Sequence, residues 1–140
     1  LMASSIKYIL VEGKIIDTIT NYMIEASSNK PALLSIFIIL LIVLVLEFFI
    51  SSSTAKAIIV MGVLGGLIGN INVSKELLVL IYTYGDGFTN TLFPTSPVLL
   101  IALSITGMSY FKWIKKSSIL FGIIAVLVCL FLVLAYLLKY

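Results

Sequence analysis

Histidine and arginine are absent from these 140 residues, cysteine and tryptophan occur once each, and proline occurs three times. Without imidazole, the common zinc sites and the usual general base of hydrolytic enzymes have no residue to carry them. No nucleophile, base and oxyanion constellation stands in for them, so an enzyme is not expected. The lone Cys129 lies inside an apolar run and reads as a packing residue. Charge is scarce as well: 11% of residues are charged against 61% hydrophobic. A soluble domain of this size needs far more charge to cover its surface. The net charge of +3 comes from lysine alone, and the lysines flank apolar segments without forming a stripe, so nucleic acid is not an expected partner. The chain starts at Leu1 without a signal-peptide pattern of basic start, apolar core and small-residue cleavage site. The expectation is a fragment or the product of a split reading frame.

What the chain does have is long apolar runs. Ile119 to Leu138 is 20 residues without a charge, about 30 Å of helix, which matches the hydrocarbon core of a bilayer. From Ala32 to Ile50, 16 of 19 positions are Leu, Ile, Val or Phe, and Glu47 is the only ionisable residue. At roughly −0.3 to −0.6 kcal/mol each, those positions outweigh one carboxylate at about +3 kcal/mol. Mean hydropathy over the chain is +1.25. The fold class expected is therefore an all-α integral membrane protein in contact with the lipid bilayer.

Residues 1–30 alternate polar and apolar positions, with Ile6, Ile9, Leu10, Ile16, Ile19 and Met23 at roughly helical spacing, which predicts an amphipathic helix at the interface or packed on a larger body. Residues 31–140 form the membrane domain. Its first unit, 32–69, has an apolar arm to Ile50, then Ser51, Ser52, Ser53 and Thr54, then Lys56 and a second apolar arm of 13 residues from Ala57 to Gly69. That arm, at about 20 Å, is short for a crossing. Two readings stand side by side, a re-entrant helical hairpin or two spans joined by a Ser-rich loop. The next unit, 74–111, has two short apolar pieces, Leu77–Tyr84 and Val98–Phe111, separated by the polar stretch Gly85–Pro97. Two Gly, two Pro and several hydroxyl and amide groups are what a broken transmembrane helix needs, and such interruptions are the best sequence pointer to a transporter's site. An external loop is the plain alternative. A final span covers 118–138. Lys112, Lys115 and Lys116 precede it, and the positive-inside rule puts them in the cytoplasm, with the 70–76 loop and Tyr140 outside.

The run Phe48-Phe49-Ile50-Ser51-Ser52-Ser53-Thr54-Ala55-Lys56-Ala57, with Gly85-Asp86-Gly87-Phe88-Thr89-Asn90 and Pro94-Thr95-Ser96 after it, resembles the YfcC-like family of membrane carriers. Glu12 to Ile19 and Tyr110 to Trp113 extend the likeness over nearly the whole chain, which corresponds to roughly the last third of a full-length member. These carriers belong to the ion transporter superfamily, with the anaerobic C4-dicarboxylate carriers and the p-aminobenzoyl-glutamate transporters. The resemblance implies the second inverted repeat of a secondary transporter, whose hairpin tip and broken helix meet around substrate and coupling ion. The tip would be Ser51, Ser52, Ser53 and Thr54, with Lys56 beside it. The broken helix would supply Gly85, Asp86, Thr89, Asn90, Pro94 and Thr95. Two features depart from the family pattern: Ser51-Ser52 stands where Pro-Ser is usual, and Met61-Gly62 stands where Met-Pro is usual.

Asp86 is the first candidate for an ion or proton site, because a carboxylate between half-helices is expensive at membrane depth. Uncharged oxygens at Thr89 and Asn90 suit Na⁺ near Asp86, and H⁺ is the other coupling ion considered; no other cofactor is implied. Lys56 pairs with Asp86 or a substrate carboxylate, or snorkels to water. Glu47 reads as a helix-packing or interface residue rather than a proton carrier, and Tyr110 and Trp113 as interface anchors. The expected function is an ion-coupled carrier or exchanger of small carboxylates or amino acids in a bacterial cell membrane, with basic amino acid exchange favoured by the resemblance. It would be inactive without the missing N-terminal half, and a homodimer is a further partner considered. The rival is a small stand-alone membrane protein, a holin-like pore former or a complex subunit.

Overall fold

A computed structural model describes residues 8–9, 12–28, 30–50 and 52–138. Among the described residues six helices follow one another: α1 (Ile15–Ser28), α2 (Ala32–Phe49), α3 (Ser53–Leu67), α4 (Lys75–Leu92), α5 (Pro97–Thr106) and α6 (Tyr110–Leu137). Ile6 and Leu10 of the expected amphipathic segment lie outside the described residues. Within α1 that pattern is visible, since Ile16 and Met23 are buried while Tyr22 stands out. The buried face packs on α2 and α3. The Thr20 hydroxyl donates to the Val63 carbonyl at 3.4 Å, and the Ser35 hydroxyl donates to the Ser27 carbonyl at 3.0 Å.

Helix boundaries follow local chemistry. Ser52, Ser74 and Ser96 cap α3, α4 and α5 by accepting from the backbone N–H of Ala55, Leu77 and Leu99. Pro97 occupies the first turn of α5, where its missing N–H costs nothing, and Gly107 ends that helix at φ 63°. A correction to the sequence reading concerns the polar stretch Gly85–Pro97. Helix α4 does not stop at Tyr84; it runs through Gly85, Asp86 and Gly87 to Leu92, and the interruption shrinks to 93–96. Packing against α2 overrides the weak helix propensity of two glycines and an aspartate.

The parallel helices α2 and α4 make the most extensive contact, with α3 and α6 flanking α4. The core gathers Ile36, Ile39 and Val43 of α2, Val60, Val63, Leu64 and Leu67 of α3, and Leu77, Leu78 and Ile81 of α4. Among the described residues three stretches are long and apolar enough to cross a membrane: Ala32–Phe49, Lys75–Thr106 and Tyr110–Leu137. At 15 residues, α3 is about 22 Å long and falls short of the roughly 30 Å core. Large apolar side chains such as Leu41, Val45, Val126 and Leu130 stay exposed on the outer faces, as expected of helices that meet lipid or further protein rather than water. The molecule is an all-α, multi-pass membrane protein.

Candidate functional site

Four oxygens and one nitrogen come together where the start of α3 meets the end of α4. Lys56 lies one turn into α3 and is almost completely buried, its side chain 3% exposed. Its ammonium donates to Asp86 Oδ1 at 3.4 Å, Thr89 Oγ1 at 3.2 Å and Asn90 Oδ1 at 3.1 Å. An ammonium has three protons, and these three acceptors use all of them. Asp86, Thr89 and Asn90 share one face of α4 because they are spaced three and four residues apart. The continuation of the helix through the Gly-Asp-Gly stretch is what lines them up.

Thr89, itself buried, links the ammonium to a second acid. Its hydroxyl donates to Glu47 Oε2 of α2 at 2.8 Å, with the Asp86 backbone carbonyl as an alternative acceptor at 3.2 Å. Glu47 is 1% exposed, and its other oxygen, Oε1, has no hydrogen-bond partner among the described residues. Gly85 allows this approach: a Cβ there would lie 2.9 Å from Val43 Cγ1 and 3.4 and 3.5 Å from the two carboxyl oxygens of Glu47. Asp86 is the most open ionisable member, its side chain 26% exposed.

The end of α4 is tied to the start of α6. Tyr110 donates its phenol to the Leu92 carbonyl at 3.0 Å, and Trp113 donates its indole N–H to the Thr91 carbonyl at 3.3 Å. The two rings thereby satisfy carbonyls that a helix end leaves without partners. Phe48 stacks edge-on against Phe93 and closes the adjacent edge. Cys129, half-buried, lines an apolar hollow of about 190 Å³ with Leu40, Leu44, Tyr84 and Phe88.

Of the residues singled out from sequence, the structure brings together Lys56, Gly85, Asp86, Thr89 and Asn90. It does not bring in the hydroxyl run. Ser51 lies outside the described residues, Ser52 spends its hydroxyl on the α3 cap, and Ser53 and Thr54 are exposed. Pro94 and Thr95 sit in the turn between α4 and α5, the first exposed and the second half-buried. The three oxygen donors expected to gather a Na⁺ do converge, but the Lys56 ammonium stands at that point. Glu47, read as a packing residue, proves to be walled into the cluster. The available signal was its position as the only ionisable group in a long apolar run, nine residues before Lys56.

Fold and site thus define a helical membrane protein with a charged cluster enclosed between three of its helices. The sequence profile described as DcuC, C4-dicarboxylate anaerobic carrier, matches residues 1–137, and the chain belongs to that family. It is 27% identical over 116 residues to the putative basic amino acid antiporter YfcC of Escherichia coli (strain K12), a match that covers 83% of this chain and 23% of that protein. An uncharacterized protein of Haemophilus influenzae (strain ATCC 51907 / DSM 11121 / KW20 / Rd) is also 27% identical over 116 residues, covering 81% of this chain and 22% of that protein. The chain spans less than a quarter of the length of these curated relatives. No solved structure matches it.

Proposed function

We propose that this chain forms the C-terminal part of an ion-coupled secondary transporter that exchanges small amino acids or carboxylates across a bacterial cell membrane, basic amino acids being the favoured solutes. The observation that carries the reading is the Lys56–Asp86–Thr89–Asn90 cluster. A buried ammonium held by three oxygens is a built-in cation. A cationic solute reaching the partly open Asp86 competes with Lys56 for the same carboxylate, and exchange of one cation for another keeps the charge of the cluster constant. A plain pore former has no use for such a group, because desolvating an ion pair costs several kcal/mol per ion. The short α3 supports a re-entrant hairpin made of α2 and α3 that delivers Lys56 to the site. Family membership and the name of the E. coli relative support carrier function and basic solutes. Na⁺ or H⁺ is the coupling ion, an N-terminal repeat completes the site, and the chain alone does not transport.

Counterflow of labelled lysine tests this in proteoliposomes holding the chain with and without an N-terminal half. Lysine should exchange only with both parts present, arginine should compete, and Asp86→Asn should abolish exchange. Saturable uptake by the 140 residues alone, or full exchange with Asp86→Asn, would contradict the reading.

A further inference from the structure

We infer that Glu47 carries the coupling proton, and that a cationic solute expels it by displacing Lys56 from Asp86. The inference rests on the carrier reading above and goes beyond it by naming the ion and the residue that holds it. Three observations motivate it. Glu47 is the only ionisable residue in α2, is buried to 1% exposure, and has one carboxyl oxygen without a partner among the described residues. The charged groups acting on it are Lys56 of α3 and Asp86 of α4, and Tyr82 of α4 is the remaining titratable group within reach. One ammonium therefore faces two carboxyl groups in a site partly open at Asp86, and one extra positive charge makes the cluster neutral.

The hydrogen bonds of Thr89 accommodate that charge as a proton. With Glu47 ionised, Thr89 accepts from Lys56 and donates to Glu47 Oε2. With Glu47 protonated at Oε2, the same 2.8 Å contact reverses: Glu47 donates to Thr89 Oγ1, and the Thr89 proton turns to the Asp86 carbonyl 3.2 Å away. A hydroxyl has one donor and two acceptor positions, and this second arrangement fills all three. Oε1 is then a neutral carbonyl oxygen, much cheaper to leave unpaired than half of a buried carboxylate.

The exchange balances. A cationic solute binds Asp86 in place of Lys56. The freed ammonium has only the width of the Thr89 hydroxyl to cross to reach Glu47 Oε2. There the O–H bond of Glu47 breaks, the carboxylate keeps the electron pair and pairs with Lys56, and the proton leaves to water. One positive charge enters and one leaves.

Two measurements on the chain joined by its N-terminal half test this. In proteoliposomes, the ratio of lysine uptake with an imposed pH gradient to uptake without one should exceed unity for the unaltered protein and for Thr89→Ser. It should fall to unity for Glu47→Gln and Thr89→Val. In detergent, adding lysine should release protons to a pH indicator dye from the unaltered protein and Thr89→Ser, and not from Glu47→Gln. The second assay needs no turnover, so it decides the matter even if a variant transports poorly. Lysine exchange without proton release in the unaltered protein, or exchange driven by a Na⁺ gradient alone, overturns the assignment and leaves the carrier reading standing. Absence of any lysine exchange sinks both.

Discussion

Lys56 and Asp86 show how a buried pair constrains its own replacement. Breaking such a pair by removing one member leaves an uncompensated charge and costs about 3–5 kcal/mol, whereas replacing both members is often neutral. Lys56→Met should therefore destabilise the protein by about that amount, while Lys56→Met combined with Asp86→Asn should recover most of the loss. Unfolding in mixed mild-detergent and dodecyl sulfate micelles measures both. Equal losses in the single and double variants would mean that the 3.4 Å contact has no energetic weight. Thr89 has a different part, because its hydroxyl accepts from Lys56 and donates to Glu47 and so links the ion pair to the second acid.

Helix α4 shows what a glycine contributes when a neighbour comes close. Gly85 faces α2 so tightly that a methyl group would meet Val43 at 2.9 Å, whereas a methyl at Gly87 would meet nothing within 4 Å. Gly85→Ala should cost about 1–3 kcal/mol through overpacking. Gly87→Ala should be neutral or gain up to about 1 kcal/mol from helix propensity. The same micelle unfolding separates the two, and equal effects would refute the close α2–α4 contact. This pair also marks where the sequence stops being informative. The apolar runs were legible because hydropathy and length alone decide insertion, and the motif likeness led to Lys56, Asp86, Thr89 and Asn90. The extent of α4 was not legible, since Gly-Asp-Gly reads as a break unless the tertiary contact is known. The role of Glu47 was hidden because α2 is apolar all round, so no stripe shows which side faces the cluster.

Across the whole molecule, the ends of the helices sort into two poles. One holds Ser27, Lys30, Ser35 and residues 69–72, joined by the Ser35–Ser27 contact and a shared polar hollow. The other holds Ser52, the 93–96 turn and the start of α6, with Lys112, Lys115 and Lys116. The expectation from the positive-inside rule is that the second pole faces the cytoplasm. With Cys129→Ser as background, an impermeant thiol reagent added outside intact cells should label Asn70→Cys and spare Lys115→Cys. The reverse pattern would invert the topology. At this second pole the first turn of α3 lies against the last turn of α4, so the positive end of one helix dipole stands beside the negative end of the other. Each terminus acts as about half an elementary charge, positive for the first and negative for the second, and is worth roughly 0.3–1 kcal/mol to a suitable group. A lone ion gains from one terminus and loses at the other. A zwitterion with its carboxylate toward α3 and its ammonium toward α4 would gain from both, which is the backbone's contribution under the amino acid exchange proposed above.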